Sequence, residues 1–115
     1  VLLVTSRETR RWVIPKGWPM KDLAPEACAA QEALEEAGVA GQASRKRLGT
    51  YHYDKRLRSG RSQHVRVTVY PLAVREERDA WPEMAQRERR WTTPTEAAEA
   101  VEEPELKALL AKFRP

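Results

Sequence analysis

The sequence predicts a single domain of the α/β class, in which short strands flank one well-marked helix and two further helices close the chain. The length of 115 residues suits one small domain. Short β-type runs separated by turn residues occupy much of the chain, and prolines suited to a first helical turn precede three segments rich in Ala, Glu or Leu. No repeat or linker divides the chain, so one domain is expected over residues 1–115.

The first part of the chain predicts a hairpin followed by a helix. Val1–Thr5 and Trp12–Ile14 are β-type runs separated by six polar residues. Pro15–Met20 contains two prolines and a glycine and is expected to interrupt regular structure. Pro25–Ala37 begins with proline, is rich in Ala and Glu, and precedes Gly38, a natural stop, so a helix is predicted over 25–37.

The middle of the chain predicts two longer strands and a loop. Leu48–Tyr53 and Val65–Val74 are β-type runs, joined through a turn at Ser59–Gly60. Valines alternate with polar residues at the start of the second run, so one of its faces is expected to be buried. Asp79–Gln86 is predicted to be an irregular loop, and Arg89–Thr92 a short strand.

Two helices are predicted at the end of the chain. Thr93 and Glu96 have the capping-box spacing, with proline at the first helical position, and begin a helix to about Val101. Pro104 begins another helix, whose apolar residues recur at helical spacing. Both helices are interpreted as packing elements.

The composition excludes several classes of protein. A 41% hydrophobic content provides for a modest core, although mean hydropathy is only -0.72. Cys28 is the only cysteine, so neither an internal disulfide nor a Cys-rich zinc site is available. No apolar run of about 20 residues and no signal-peptide pattern occurs, which predicts a soluble, cytoplasmic protein. Because Val1 already lies in a strand-like run, we expect the chain to continue upstream, with part of the first strand missing.

The charge distribution singles out one segment. A net charge of +4 and an isoelectric point near 9.5 favour an anionic partner, without choosing among nucleic acid, nucleotide and other polyphosphates. Yet no Lys or Arg occurs between Asp22 and Ser44. This segment contains Glu26, Glu32, Glu35 and Glu36.

Three of these acids share one face of the predicted helix. At about 100° per residue, Glu32, Glu35 and Glu36 fall within an arc of roughly 100°. The small apolar residues at 27, 30, 34 and 37 fall opposite, so the acidic face and the core face are expected to be separate. Most acidic runs are solvated helix surface, but here no cation lies three or four residues away. A divalent cation would relieve the repulsion, and oxygen ligands favour Mg²⁺ or Mn²⁺ over Zn²⁺.

The spacing of these residues resembles the Nudix hydrolase signature, Gly-x5-Glu-x7-Arg-Glu-U-x-Glu-Glu-x-Gly-U, where U is apolar. Gly17 opens the match, and the segment from Gln31 to Val39 closes it at the family's spacing. Two positions depart from the pattern. Leu23 stands in place of the first Glu, and Gln31 stands in place of the Arg, which removes a cation that would help to orient the acids.

The flanking residues resemble the branch that contains diphosphoinositol polyphosphate and diadenosine polyphosphate phosphohydrolases. This similarity is carried by Trp12–Gly17, by the strand Arg66–Leu72, and by Trp81 followed by Arg87–Trp91. The resemblance implies an α/β/α sandwich with a mixed central β-sheet. It also implies Mg²⁺-dependent hydrolysis of a nucleoside diphosphate derivative or a related pyrophosphate.

The resemblance further implies roles for individual residues. Glu32, Glu35 and Glu36 would bind Mg²⁺, with Mn²⁺ as an alternative, and Glu35 and Glu36 would act in catalysis. The general base stays open among Glu35, Glu36 and an acid of the 76–88 segment.

A polyphosphate substrate also requires cations. The candidate substrate-binding residues are Lys16, Gly17, Lys21, Arg61, His64 and Arg66. Trp18, in the loop beside Gly17, is the best candidate among the tryptophans for stacking on a base.

The different-class alternative is a non-catalytic or weakly active Nudix-fold module that binds a ligand or nucleic acid, suggested by Leu23, Gln31 and the positive charge. No nucleic-acid-binding motif supports a nucleic-acid partner. The sequence leaves monomer and homodimer open.

Overall fold

The computed structural model describes residues 1–115 as seven strands and three helices, which confirms the α/β class. The elements are β1 Leu2–Thr5, β2 Trp12–Val13, α1 Pro25–Ala37, β3 Val39–Ala43, β4 Gly49–Arg56, β5 Ser62–Val69, β6 Leu72–Glu77, β7 Arg89–Trp91, α2 Pro94–Ala100 and α3 Pro104–Lys112. None of the three helices has the length and apolar character needed to span a membrane.

The strands pair in three antiparallel groups. The first group has the order β2-β1-β7, and the other two are the pairs β3-β6 and β4-β5. The predicted hairpin is present, with Val4 opposite Val13. Every pairing is antiparallel, whereas the resemblance implied a mixed central sheet.

Strand β1 separates two hydrophobic clusters. Because successive side chains of a strand point to opposite faces, Leu3 and Val4 enter different cores. Leu3 packs with buried residues of β4, α2 and α3, while Val4 packs with residues of β2, α1 and β3. The sheet therefore lies between α1 on one side and α2 with α3 on the other, as in an α/β/α sandwich.

Helix α1 has the predicted limits for identifiable reasons. Pro25 occupies the first turn, where its missing N–H costs no hydrogen bond. Gly38 has φ +69°, and its N–H donates to the carbonyls of Ala33 and Leu34. A Cβ on Gly38 would also lie 2.7 Å from the Trp81 ring, which covers the end of the helix. Glycine is thus required there both by the backbone conformation and by space.

Two strand predictions need correction. The strand predicted over Val65–Val74 is divided into β5 and β6, because Pro71 between them has no N–H for a ladder. Strand β3 was not predicted, since Gly41 and Gln42 have low β propensity, and its pairing with β6 decides its conformation. The loop around Trp81, strand β7 and the capping box of α2 agree with prediction.

Candidate active site

The site is built where the loop before α1 meets the acidic face of that helix. A Cβ on Gly17 would lie 2.3 Å from Cδ of Glu32, so the Glu32 carboxyl group occupies the space that a side chain at 17 would need. Gly17 does not have a positive φ. Glycine at this position is therefore explained by close approach to Glu32 and not by backbone conformation.

Glu36 is the buried member of the acidic group. It is only 4% exposed, and its Oε1 accepts the Lys16 backbone N–H at 3.4 Å. Burial, followed by a hydrogen bond with the Glu32 side chain, raises the pKa of Glu36 to about 8, against the opposing charge of Arg87. Without a cation, the Glu32–Glu36 pair therefore holds a proton near neutral pH.

The burial of Glu36 corrects the expectation that the acidic and core faces of α1 are separate. Glu36 lies at the border of the two faces, beside the buried core residues Ala33 and Ala37. The helical wheel placed Glu32 and Glu36 together, as the structure does, but it could not show that the 81–87 segment covers Glu36.

Glu35 is engaged elsewhere. Its Oε1 accepts a hydrogen bond from Gln31 Nε2 at 3.2 Å, and its backbone carbonyl accepts the Glu83 N–H at 3.0 Å. No group of three or more His, Cys, Asp or Glu side chains has an arrangement that could hold a metal ion. The structure thus brings Glu32 and Glu36 together, while the predicted third ligand interacts with Gln31.

The Glu32–Glu36 pair fits a divalent cation by its chemistry. Two carboxyl groups that share a proton present oxygen donors at one point, and Mg²⁺ in proteins binds through one or two carboxylates with water completing its shell. A cation there would replace the shared proton. Glu35 would join the ligand set only by giving up its bond to Gln31.

Lys16, a predicted substrate-binding residue, lies next to the carboxyl pair, since its backbone N–H binds Glu36. Its Nζ is 5.1 Å from the centroid of the Tyr53 ring. Burial, opposed by the charge of Glu36, lowers the pKa of Lys16. Lys21, in contrast, is exposed in the loop before α1, and no hydrogen bond or ion pair connects it to the acids.

The other three predicted substrate-binding residues lie on the β4-β5 hairpin. Arg61 is exposed just before β5, beyond the tip of the hairpin. In the ladder, His64 is opposite Asp54 and Arg66 is opposite His52. His64 Nδ1 is 2.9 Å from Asp54 Oδ1, and its ring stacks on that of His52 with centroids 5.3 Å apart.

Strand alternation separates His64 and Arg66 from the acids. Tyr53, which contacts Lys16, lies opposite Val65 and points to the other face of the hairpin from His64 and Arg66. The structure therefore does not bring these two residues to the Glu32–Glu36 pair. Their position in the sequence suggested proximity to the site, but the alternation of side chains along β5 places them on the other face of the hairpin.

Sequence reasoning missed the role of Arg87. Its side chain is 10% exposed, and its Nη2 is 3.6 Å from Glu36 Oε1. Its Nε lies 2.8 Å from Glu83 Oε1, and its Nη1 donates to the Thr5 carbonyl at 3.0 Å. The sequence shows several arginines around this position and no pattern that distinguishes the buried one.

Comparison with known proteins shows which family the chain belongs to. A family model described as NUDIX domain matches residues 1–113. The chain belongs to the Nudix family. It is 35% identical over 100 residues to Nudix hydrolase 17, mitochondrial, of Arabidopsis thaliana, covering 87% of this chain and 53% of the relative. It is 37% identical over 103 residues to Nudix hydrolase 12, mitochondrial, of the same plant, covering 86% and 50%.

A third relative bears on the branch within the Nudix family. The chain is 31% identical over 105 residues to Diphosphoinositol polyphosphate phosphohydrolase 3-beta of Bos taurus, covering 89% of this chain and 60% of the relative. The chain thus spans about half the length of the Arabidopsis relatives and somewhat more of the bovine protein.

The two departures from the Nudix signature have visible consequences. Leu23 is at the surface, and its carbonyl accepts from the Cys28 thiol at 3.8 Å. Gln31 binds Glu35 without supplying a charge. In this Nudix domain the positive charge beside Glu36 comes from Arg87, on the segment that follows the Trp81 loop.

Gly17→Ala is expected to lower Mg²⁺ affinity about tenfold and to change the free energy of unfolding by less than about 0.5 kcal/mol. The added Cβ displaces the Glu32 carboxyl group, which is the end of a flexible side chain, so the fold adapts while this carboxyl group moves. Mg²⁺ titration by calorimetry and thermal unfolding measure the two effects.

Gly60→Ala is the matched control for this variant. Gly60 has φ +84° in open space, so its replacement strains the backbone by about 1 kcal/mol and leaves Mg²⁺ binding unchanged. Unchanged Mg²⁺ affinity in Gly17→Ala would refute the role assigned to the Glu32 position.

Proposed function

We propose that this Nudix domain is a Mg²⁺-dependent hydrolase that cleaves a pyrophosphate bond in a polyphosphorylated small molecule. The observation that carries the proposal is the Glu32–Glu36 carboxyl pair, held against Gly17 at the signature spacing. The family membership supports the reaction class, and the Arabidopsis relatives are named as Nudix hydrolases.

The protein's own residues supply position and charge. Glu32 and Glu36 would hold the cation, and Glu35 would join them after release from Gln31. When bound, Mg²⁺ supplies positive charge to the phosphate oxygens and activates water for attack on phosphorus. Arg87 keeps Glu36 in place through a buried charge, and the Lys16 backbone N–H fixes the same carboxyl group from the other side. Glu35 and Glu36 stay candidates for the general base.

The proposed substrates are of the diphosphoinositol polyphosphate or diadenosine polyphosphate type. The name of the bovine relative supports the first, and the excess of basic residues in this chain suits many phosphates. We also propose a cytoplasmic location, although the two Arabidopsis relatives are named as mitochondrial.

The test is hydrolysis of diadenosine polyphosphates, diphosphoinositol polyphosphates and ADP-ribose at controlled Mg²⁺. Glu32→Gln is expected to lower the rate at least about 100-fold, because it removes an anionic ligand. Glu26→Gln, in the first turn of the same helix and away from Gly17, is the matched control and is expected to keep full activity. Equal rates in Glu32→Gln and wild type would refute the proposal.

The second candidate is a binding module on the same scaffold. It is favoured by the hydrogen bond that holds Glu35 to Gln31 and leaves no three-carboxylate group. Calorimetry with the same compounds separates the two candidates. Binding that is independent of Mg²⁺ and persists when Glu32, Glu35 and Glu36 are all replaced by Gln would establish the module.

A further inference from the structure

The loop before α1 contains an exposed tryptophan. Trp18 is 55% exposed and directly follows Gly17, the residue on which the Glu32 carboxyl group rests. Lys55 Nζ, from β4, is 5.6 Å from the centroid of the Trp18 ring. An indole this exposed contributes little to either hydrophobic cluster, and Trp18 belongs to neither.

Two lysine–aromatic contacts align this loop with β4. In the first contact the loop supplies the lysine, Lys16, and β4 supplies the ring, Tyr53. Two residues further along both segments, β4 supplies the lysine, Lys55, and the loop supplies the ring, Trp18. The loop therefore runs beside β4 in the same direction. Tyr53 and Lys55 share one face of the strand because side chains alternate. Gly17, which adjoins Glu32, therefore lies between two residues that both contact β4.

The other exposed tryptophan differs from Trp18 because its indole is hydrogen-bonded. Trp91 is 48% exposed, and its indole N–H donates to Glu77 at 3.2 Å. The Trp18 indole makes no hydrogen bond, and a lysine ammonium group lies at its ring. A cation at an exposed aromatic ring is a weak interaction compared with stacking of a nucleobase on the same ring.

We propose that Trp18 and Lys55 form a platform for the nucleobase of the substrate. A planar base would stack on the indole in place of the Lys55 ammonium group, which would then be free to contact phosphate. Since Trp18 is next in sequence to Gly17, a base on its ring places the attached phosphate chain beside the Glu32–Glu36 pair. This inference rests on the proposed function and narrows it: the preferred substrate is a nucleoside polyphosphate or dinucleoside polyphosphate, because an inositol ring has no aromatic face.

The test measures binding without turnover on the 115-residue chain. The probes are a methylene-bridged diadenosine tetraphosphate analogue, which contains bases, and inorganic tripolyphosphate, which does not, both in Mg²⁺. Trp18→Leu is expected to weaken analogue binding about tenfold and tripolyphosphate binding by less than about twofold. Trp18→Phe is expected to restore most of the analogue affinity, since it retains an aromatic face.

Trp91→Phe is the matched control, and it is expected to leave both affinities unchanged. Equal weakening of both probes in Trp18→Leu would show that Trp18 only shapes the loop, and unchanged affinities would show that no base stacks there; either result overturns the proposal. If Trp18→Leu hydrolyses nucleotide and inositol substrates at the wild-type rates, the platform is refuted and the proposed hydrolase activity is not. Base-dependent binding that requires Trp18, with no hydrolysis of any compound, supports the platform and refutes the hydrolase.

Discussion

Glu36→Gln is expected to abolish most hydrolysis, by at least about 100-fold, while the protein stays folded. Gln keeps the shape of the buried side chain and can still accept the Lys16 N–H, but it cannot give an anionic oxygen to a cation. Steady-state hydrolysis and Mg²⁺ calorimetry measure the loss. A variant that retains wild-type rates would exclude Glu36 from the metal site.

The same variant has a distinctive pH dependence of stability. Between pH 4.5 and about 8 the folded chain keeps a proton on Glu36 that the unfolded chain has lost. The free energy of unfolding of the wild type therefore falls as pH rises through this window, by about 1.4 kcal/mol per pH unit for one such group. Gln does not titrate, so Glu36→Gln becomes the more stable protein toward pH 8.

Thermal unfolding from pH 5 to 8 measures this difference. Mg²⁺ is expected to offset the wild-type loss, since it replaces the proton, and to have no such effect on Glu36→Gln. Parallel stability curves for the two proteins would show that Glu36 does not hold the proton. Glu26→Gln is again the control, with the wild-type pH dependence expected.

The fold could be predicted where local signals are strong. Proline and glycine mark both ends of α1, and Thr93 with Glu96 forms the capping box of α2, so these limits follow from residues next to each other in sequence. Strand β3 has no comparable signal. Its Gly41 comes so close to β6 that a Cβ would lie 1.9 Å from the Ala73 carbonyl oxygen, a contact that only the folded chain creates.

The candidate site, too, could be predicted only where the signal lies in residues close together in the sequence. Helical spacing was enough to group Glu32 and Glu36, because neighbours at four residues share a face. The buried Glu36 contacts Arg87, which is 51 residues further along the sequence, so spacing within the helix could not show which acid is buried. A difference of one residue also decides on which face of the β4-β5 hairpin a cation such as Arg66 or Lys55 lies.

Arg87→Met is expected to lower the free energy of unfolding by about 3 kcal/mol, the second large effect. The guanidinium group contacts Glu36 of α1, Glu83 of the preceding loop and the Thr5 carbonyl of β1, and the side chain is 10% exposed. Methionine fills a similar volume, but it removes the donor to Glu83 and to the Thr5 carbonyl and the positive charge beside Glu36. Chemical denaturation measures the loss, and exposed Arg90→Met is the matched control, with little change expected.

A double-mutant cycle shows how much of this loss of stability depends on Glu36. If Arg87 mainly balances the buried carboxyl group, Arg87→Met costs less in the Glu36→Gln background than in the wild type, and the gap widens as pH rises and Glu36 ionises. Equal costs in both backgrounds would mean that Arg87 acts through Glu83 and Thr5 alone. Because removal of the Arg87 charge also raises the pKa of Glu36 further, the single variant is expected to bind Mg²⁺ more weakly at pH 7 than at pH 8.5, with a steeper pH dependence than the wild type.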